Sequence, residues 1–287
     1  MGTLDRWRKK NHHYILAIGD THTLGGCGLA PRGWVTNTGN KIELNRAQNY
    51  LYDCFDHIME NTPPYIDALF LLGDMMEGKN IFDFGVGLSE VDEEWQVQGA
   101  VELFTPLAER VSHNDKGKRR IIGVAGSKYH GRREALLIRQ LNGLPKGDFY
   151  APFWREFYFE DNPDVLFDLA HAQSYHMRYK STPMSREIAF KYERQGRIRS
   201  VLPKHVVVIR AHVHQFGAWM ELGATVVTLP AMKVQDAFAQ SISSPNRTIP
   251  DALGAVGFKV FDEPVDGKLV HIIPYLYDHP DDPPEVI

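Results

Sequence analysis

Cysteine is scarce in this chain: only Cys27 and Cys54 occur among 287 residues. Two cysteines build no disulfide framework, their spacing matches no zinc motif, and a reducing compartment is expected. No apolar run approaches the roughly 18 residues of a membrane span. The stretch Asp5-Arg6-Trp7-Arg8-Lys9-Lys10-Asn11 is basic but lacks an apolar segment of export-signal length, so a cytoplasmic protein without membrane contact is expected. Basic charge is also lacking overall: the formal net charge is −4, which excludes a globally basic nucleic-acid binder and shifts attention to local charge. No internal repeat or low-complexity segment is visible. What the chain does have is 43% hydrophobic residues, enough for a full core at this length.

The apolar residues fall into runs that end abruptly in chemistry. Tyr14-Ile15-Leu16-Ala17-Ile18-Gly19 delivers Asp20 and His22; Ile66-Asp67-Ala68-Leu69-Phe70-Leu71-Leu72-Gly73 delivers Asp74. Ile121 to Gly126 delivers Ser127 and His130, Val165 to Ala170 delivers His171, and Val206 to Ala211 delivers His212 and His214. Such runs read as buried strands, and the carboxyl ends of strands in open α/β sheets are where ligands bind. One Asp-x-His is a weak signal, but five strand ends in succession supply the oxygen and nitrogen donors of a divalent-metal centre. Because the donors come from both halves of the chain, residues 1–287 read as a single domain. Residues 1–13 form a peripheral basic arm, and residues 279–287 a peripheral tail.

The ordered set Gly19-Asp20-Thr21-His22, Gly73-Asp74, Gly126-Ser127-Lys128-Tyr129-His130, His171 and Ala211-His212-Val213-His214 resembles the motif series of the calcineurin-like metallophosphoesterases. The resemblance implies an α/β fold: a two-sheet mixed β-sandwich flanked by helices in four layers, α/β/β/α. It implies two divalent metal ions, with Asp20, His22 and His214 on the first, Asp74 bridging, and His171 and His212 on the second. The third motif of that family reads Gly-Asn-His. Here Ser127 stands in place of the Asn that holds the second metal, and the histidine comes three residues later as His130. Two alternatives follow: Ser127 completes the second metal site and His130 protonates the leaving group, or His130 is itself a ligand. Ala211 replaces a glycine before His-x-His. Mixed imidazole and carboxylate ligation suits manganese, iron or zinc, with manganese the leading expectation.

Between these motifs the chain reads as helices and loops. Leu24 to Asn40 is a Gly-rich, mobile loop from which Arg32 and Trp34 reach a substrate. Glu43 to Glu60 has the period of an amphipathic helix ended by Pro63-Pro64. The loop from Met75 to Gly85 leads out of Asp74 toward a pocket mouth. Ser89 and Asp92 resemble a capping box for a helix running to about Ser112. A helix over Arg132–Leu141 opens with Arg132 and Arg133, an anion-binding arrangement. Residues 175–204 form a basic and aromatic insertion: eight Lys or Arg against two Glu over 178–204, with Tyr175, Tyr179, Phe190 and Tyr192 interleaved and a helix over Met184–Gln195. Strands over Ala218–Leu229 and Gly257–Asp262 follow, and Lys268–Tyr277 pairs back across an Asp266-Gly267 turn.

With the family resemblance, these features imply a metal-dependent phosphoester hydrolase. The first reading is a phosphodiesterase or nuclease using hydroxide generated between two metals, with DNA or RNA as substrate gripped by the basic insertion. The alternatives are a phosphatase or phosphodiesterase for a small nucleotide or phosphoprotein, and a catalytically decayed metal-binding scaffold marked by Ser127.

Overall fold

The computed structural model describes residues 12–79, 87–113, 117–130, 133–144, 151–172, 181–198, 203–221, 223–234 and 252–280. Among the described residues, ten strands form two sheets. The first sheet is ordered β10-β9-β1-β2-β3, from β1 (His12–Ile18), β2 (Ala68–Leu71), β3 (Ile121–Gly123), β9 (Leu253–Val265) and β10 (Lys268–Tyr277). The second is ordered β4-β5-β6-β8-β7, from β4 (Trp154–Phe159), β5 (Asn162–Ala170), β6 (His205–Arg210), β7 (Gly217–Glu221) and β8 (Ala224–Thr228). Both are mixed. β1, β2 and β3 run parallel, as do β5, β6 and β8, while β9, β10, β4 and β7 pair antiparallel at the flanks.

The central strands read as continuous apolar runs because both of their faces are covered. On β1, Ile15 and Ala17 point between the sheets, where they join Phe70, Phe167, Leu169, Ile209, Val227 and Phe258. The alternate residues Tyr14, Leu16 and Ile18 face the other way, onto helices α1 (Arg46–Asn61), α2 (Glu93–Glu109) and α3 (Glu134–Leu141). Helix α4 (Ser181–Ile198) covers the outer face of the second sheet through Ile188 and Tyr192 on Val206, Val208 and Val226. The layers are therefore α/β/β/α, as the resemblance implies. Each fully buried Phe or Leu contributes roughly 1.5–3 kcal/mol, and this core fixes the strand ends that carry the site.

Several expectations are corrected. Arg46–Asn61 is capped by Asn45, whose side chain bonds the Gln48 amide while Gln48 bonds back. In α2 it is Asp92 that caps, accepting from Glu94 and Trp95, so Ser89 is not the N-cap; the helix also stops at Glu109 rather than Ser112. The expected strand over 218–229 is a hairpin of β7 and β8, and β9 extends well beyond 257–262. The Asp266-Gly267 turn stands as expected, with φ of 51° and 75°. The loop after His22 is packed: Leu24, Ala30 and Trp34 form a buried cluster, with Trp34 against Trp95. Arg32 pairs with Asp53 at 2.5 Å and lies over Tyr52. Arg32 thus contacts α1 and Trp34 contacts α2. His12 and His13 belong to β1; residues 1–11 of the expected basic arm, and 281–287 of the expected tail, lie outside the described residues. No helix among the described residues is long and apolar enough to cross a membrane.

Candidate metal centre

Parallel strands place their carboxyl ends on one edge, and here both sheets present that edge to the same point. Beyond β1 lie Asp20 and His22, beyond β2 Asp74, beyond β5 His171, and beyond β6 His212 and His214. The segments are stitched together by backbone: the Asp20 amide donates to the Gly73 carbonyl at 3.1 Å, the His22 amide to Asp74 at 3.0 Å and the Ala211 amide to His171 at 3.0 Å. The His212 amide donates to Asp20 Oδ2 at 2.8 Å. His171 crosses between the sheets, its Nδ1 lying 2.7 Å from the Leu72 carbonyl.

Seven described non-glycine residues have positive φ, and five of them are sequence candidates: Asp20 (48°), His22 (46°), Asp74 (47°), His212 (73°) and His214 (54°). Such a conformation costs an L-residue about 1–2 kcal/mol, and its concentration at one locus is characteristic of functional sites. Each chain leaves its strand by curling left-handed, which turns the side chain back over the strand ends.

The resulting donors fall into three groups whose ligand atoms lie within 4.8 Å of one another: Asp20, His22 and His214; His22, Asp74 and His130; and Asp74, His171 and His212. Asp20 Oδ1 stands 3.4 Å from His214 Nε2 and 3.9 Å from both His22 Nε2 and His171 Nε2. Asp74 Oδ2 is 2.9 Å from His171 Nε2 and 3.9 Å from His130 Nε2. Buried Asp20 Oδ1 and His22 Nε2 make no hydrogen bond in the structure. Imidazole nitrogens and carboxylate oxygens left open in a buried pocket suit a divalent cation, so the residues fit the centre that the resemblance implies.

Six of the seven candidate ligands, Asp20, His22, Asp74, His171, His212 and His214, fall in these groups together with His130; Ser127 is not among them. His130 groups with His22 and Asp74, not with His171 and His212, because its Nδ1 is held 2.6 Å from the Glu77 carbonyl and its ring meets His22 edge-on at 4.4 Å. Ser127 gives its amide to Asp74 Oδ1 at 2.7 Å, while its Oγ is buried without a hydrogen-bond partner. Gly126 leaves no room for a side chain without a shift: a Cβ there would lie 2.1 Å from Asp74 Oδ1 and 2.3 Å from the Asp74 amide nitrogen.

The electrostatics follow from burying acids beside imidazoles. Burial opposes the charge on Asp20, but His214 and His171 outweigh it and bring its carboxyl down to about 2. Asp74, equally opposed by burial, is held far below the usual carboxylate range by the His171 hydrogen bond and by His171, His130 and His22. Burial works against a charged His171, yet Asp20 and Asp74 push it up to about 9. Burial, helped by neighbouring His171, lowers His212.

Sequence reasoning missed three residues here. Glu77 lies 3.0 Å from His22 Nδ1, and Lys233 lies 3.2 Å from both Glu77 oxygens. Glu134, fully buried at the start of α3, has its carboxyl raised to about 7 by burial and then by Asp74. The signal for Glu77 was its place three residues after Asp74; Lys233 and Glu134 carried none. Of the expected anion-binding arginines, Arg133 is paired with Glu93 at 3.0 Å, and Arg132 lies outside the described residues. Met75 and Met76 are buried, so that part of the loop after Asp74 packs in the core; Phe82 and Phe84 lie outside the described residues. In the basic insertion, Lys191 is buried between Glu156 and Asp168, both at 2.5 Å, and Lys204 pairs with Asp164 at 2.7 Å.

No protein-family model and no curated protein matches the chain. Among solved structures it is similar to vacuolar protein sorting 29 from Cryptosporidium parvum (TM-score 0.45, 10% identity, covering 93% of this chain and 98% of that one). It is also similar to YfcE, a phosphoesterase from E. coli (TM-score 0.40, 11% identity, 91% and 98%), and to an archaeal phosphodiesterase (TM-score 0.40, 11% identity, 91% and 99%).

Proposed function

We propose that this chain is a calcineurin-like metallophosphoesterase: a hydrolase of phosphoesters that depends on divalent metal, with manganese the first ion to test. The observation that carries this reading is the convergence of Asp20, His22, Asp74, His212 and His214, all in left-handed backbone, at the strand ends, where buried Asp20 Oδ1 and His22 Nε2 make no hydrogen bond. Asp20, His22 and His214 would hold one ion, His171 and His212 a second, and Asp74 would lie between. Ions held there supply Lewis acidity toward phosphoryl oxygens and lower the pKa of water. The imidazoles must be unprotonated to bind them, so activity falls in acid. Asp20 and Asp74, whose carboxyls titrate well below neutrality, stay ionised throughout.

The substrate proposed first is a nucleic-acid phosphodiester, supported by the basic and aromatic composition of residues 175–204. The burial of Lys191 in ion pairs with Glu156 and Asp168 favours a second reading, a phosphodiesterase or phosphatase for a small substrate. Hydrolysis of a bis-aryl phosphate diester, an aryl phosphate monoester and single-stranded DNA, each with Mn²⁺ and with chelator, separates them. Mn²⁺-dependent cleavage of diester and DNA, with DNA cleavage falling steeply as salt rises, supports the first. Cleavage of the monoester alone moves the assignment to a phosphatase, and stoichiometric metal without hydrolysis of any makes the chain a metal-binding scaffold.

A further inference from the structure

The carboxylate of Glu77 occupies a position that a merely structural ion pair would not need. Glu77 is 5% exposed and Lys233 8%, and they come from segments far apart in sequence, one following β2 and the other β8. Lys233 is pinned by an antiparallel bridge to Gly28, with the Met232 amide bonded to the Asp20 carbonyl and the Val234 amide to Cys27. Its Nζ thereby lies 3.2 Å from each Glu77 oxygen. The same carboxylate faces His22 Nδ1 at 3.0 Å, off the line of an ideal hydrogen bond. Room for it exists because residue 25 is glycine, where a Cβ would lie 2.6 Å from Glu77 Oε2.

A histidine that binds metal through one ring nitrogen ordinarily gives the proton on the other to a carbonyl or carboxylate, which fixes its tautomer and orientation. His171 and His130 have backbone carbonyls within hydrogen-bond distance of Nδ1, Leu72 at 2.7 Å and Glu77 at 2.6 Å, although the Glu77 carboxylate also lies 3.6 Å from His130 Nδ1. His22 has a buried carboxylate instead, and a buried carboxylate needs a cation or it becomes costly. We propose that Glu77 and Lys233 are a positioning pair for His22: the Glu77 carboxylate accepts from His22 Nδ1–H, Lys233 compensates the buried charge, and Nε2 is left unprotonated toward Asp20 and His214. The inference rests on the reading of that group as metal-binding.

Two double variants with the same net charge test it. E77L/K233M removes the acceptor and the cation together, which spares the fold an unpaired buried charge; E77Q/K233M keeps an amide oxygen as acceptor. Long-range proton–nitrogen NMR of the metal-free proteins reads the His22 tautomer, and calorimetric titration with Mn²⁺ alone reads affinity. In the parent and in E77Q/K233M, His22 is expected to carry its proton on Nδ1. In E77L/K233M it is expected to populate both tautomers, with Mn²⁺ affinity lower by about 10–100-fold and unfolding close to the parent's. An E77L/K233M protein that keeps the Nδ1–H tautomer and the parent's affinity overturns the proposal. So does an E77Q/K233M protein protonated at Nε2, a result that stands even where E77L/K233M does not fold. A parent that binds no Mn²⁺ sinks the metal reading, and the tautomer measurement still decides the positioning role.

Discussion

Replacing Lys191 by methionine separates two accounts of the basic insertion. Lys191 sits on α4 with its Nζ between Glu156 and Asp168, above the Trp154 ring at 5.1 Å. Breaking a buried ion pair by removing one partner costs about 3–5 kcal/mol when the other charge is stranded. Asp168 is not wholly stranded here, since Arg210 remains at 2.7 Å and the Trp154 indole N–H at 2.7 Å, and Glu156 is partly exposed. The expected loss for Lys191→Met is therefore below that range, about 2–3 kcal/mol, or about 4–6 °C in midpoint for a chain of this size. Asp168→Asn, which strips the anion from Lys191 and Arg210 together, should reach about 3–5 kcal/mol. Urea unfolding followed by circular dichroism measures both. Burial opposes ionisation of Asp168, but Arg210 and Lys191 lower its carboxyl; the network's contribution is thus complete above the ordinary Asp range and lost as pH falls through the lowered value. A Lys191→Met protein that unfolds like the parent but binds single-stranded DNA more weakly would refute this account and return Lys191 to the substrate.

Three other outcomes are expected. His205, half-buried at the start of β6 beside Thr225, is lowered from 6.5 to about 4 by desolvation. Its neutral form stabilises the fold fully above pH 6.5, and up to roughly 3 kcal/mol is lost as pH falls toward 4; unfolding of His205→Gln across that window should show a shallower slope, and an unchanged slope contradicts the assignment. Gly126→Ala puts a methyl on the Asp74 carboxylate; it should cost about 1–3 kcal/mol of stability and deplete bound Mn²⁺, measured by elemental analysis after dialysis. His130→Gln should lose Mn²⁺ affinity together with turnover, because His130 groups with His22 and Asp74. Normal metal content with slow turnover would instead make it the acid that protonates the leaving group.

Most of the strand ends were legible because a strand covered on both faces must be written as an unbroken apolar run, and the first polar residue after it stands out. Asp20, Asp74, His171 and His212 are visible for that reason. Strands without such an ending were harder: β4, Trp154 to Phe159, is half-exposed and alternating, and the β7–β8 hairpin carries no turn signal as plain as Asp266-Gly267. Side chains that act through other side chains were not legible at all. Nothing local distinguishes Lys233 from a surface lysine or Glu134 from an ordinary first-turn acid, because their burial is decided by segments remote in sequence. The same remoteness hid the fate of Lys191, whose partners Glu156 and Asp168 lie on the two strands that precede its helix.

The left-handed backbone explains why histidine spacing alone undersells the centre. In an extended chain Asp20 and His22, two residues apart, would share one face of a strand, and so would His212 and His214. In the structure both members of each pair have positive φ, so each pair curls and its side chains fan over the strand ends instead of lining up. That geometry lets Asp20 Oδ1 lie within 3.9 Å of His22, His171 and His214 at once, while Asp20 Oδ2 receives the His212 amide. The backbone energy stored at five residues is sustained by hydrogen bonds from one strand end to the next, so the site is stiff before any cation arrives. A stiff donor set tolerates small errors of placement poorly, and this is why glycines at 25 and 126, each blocked by a carboxylate where a side chain would begin, belong to the candidate centre as much as its candidate ligands do.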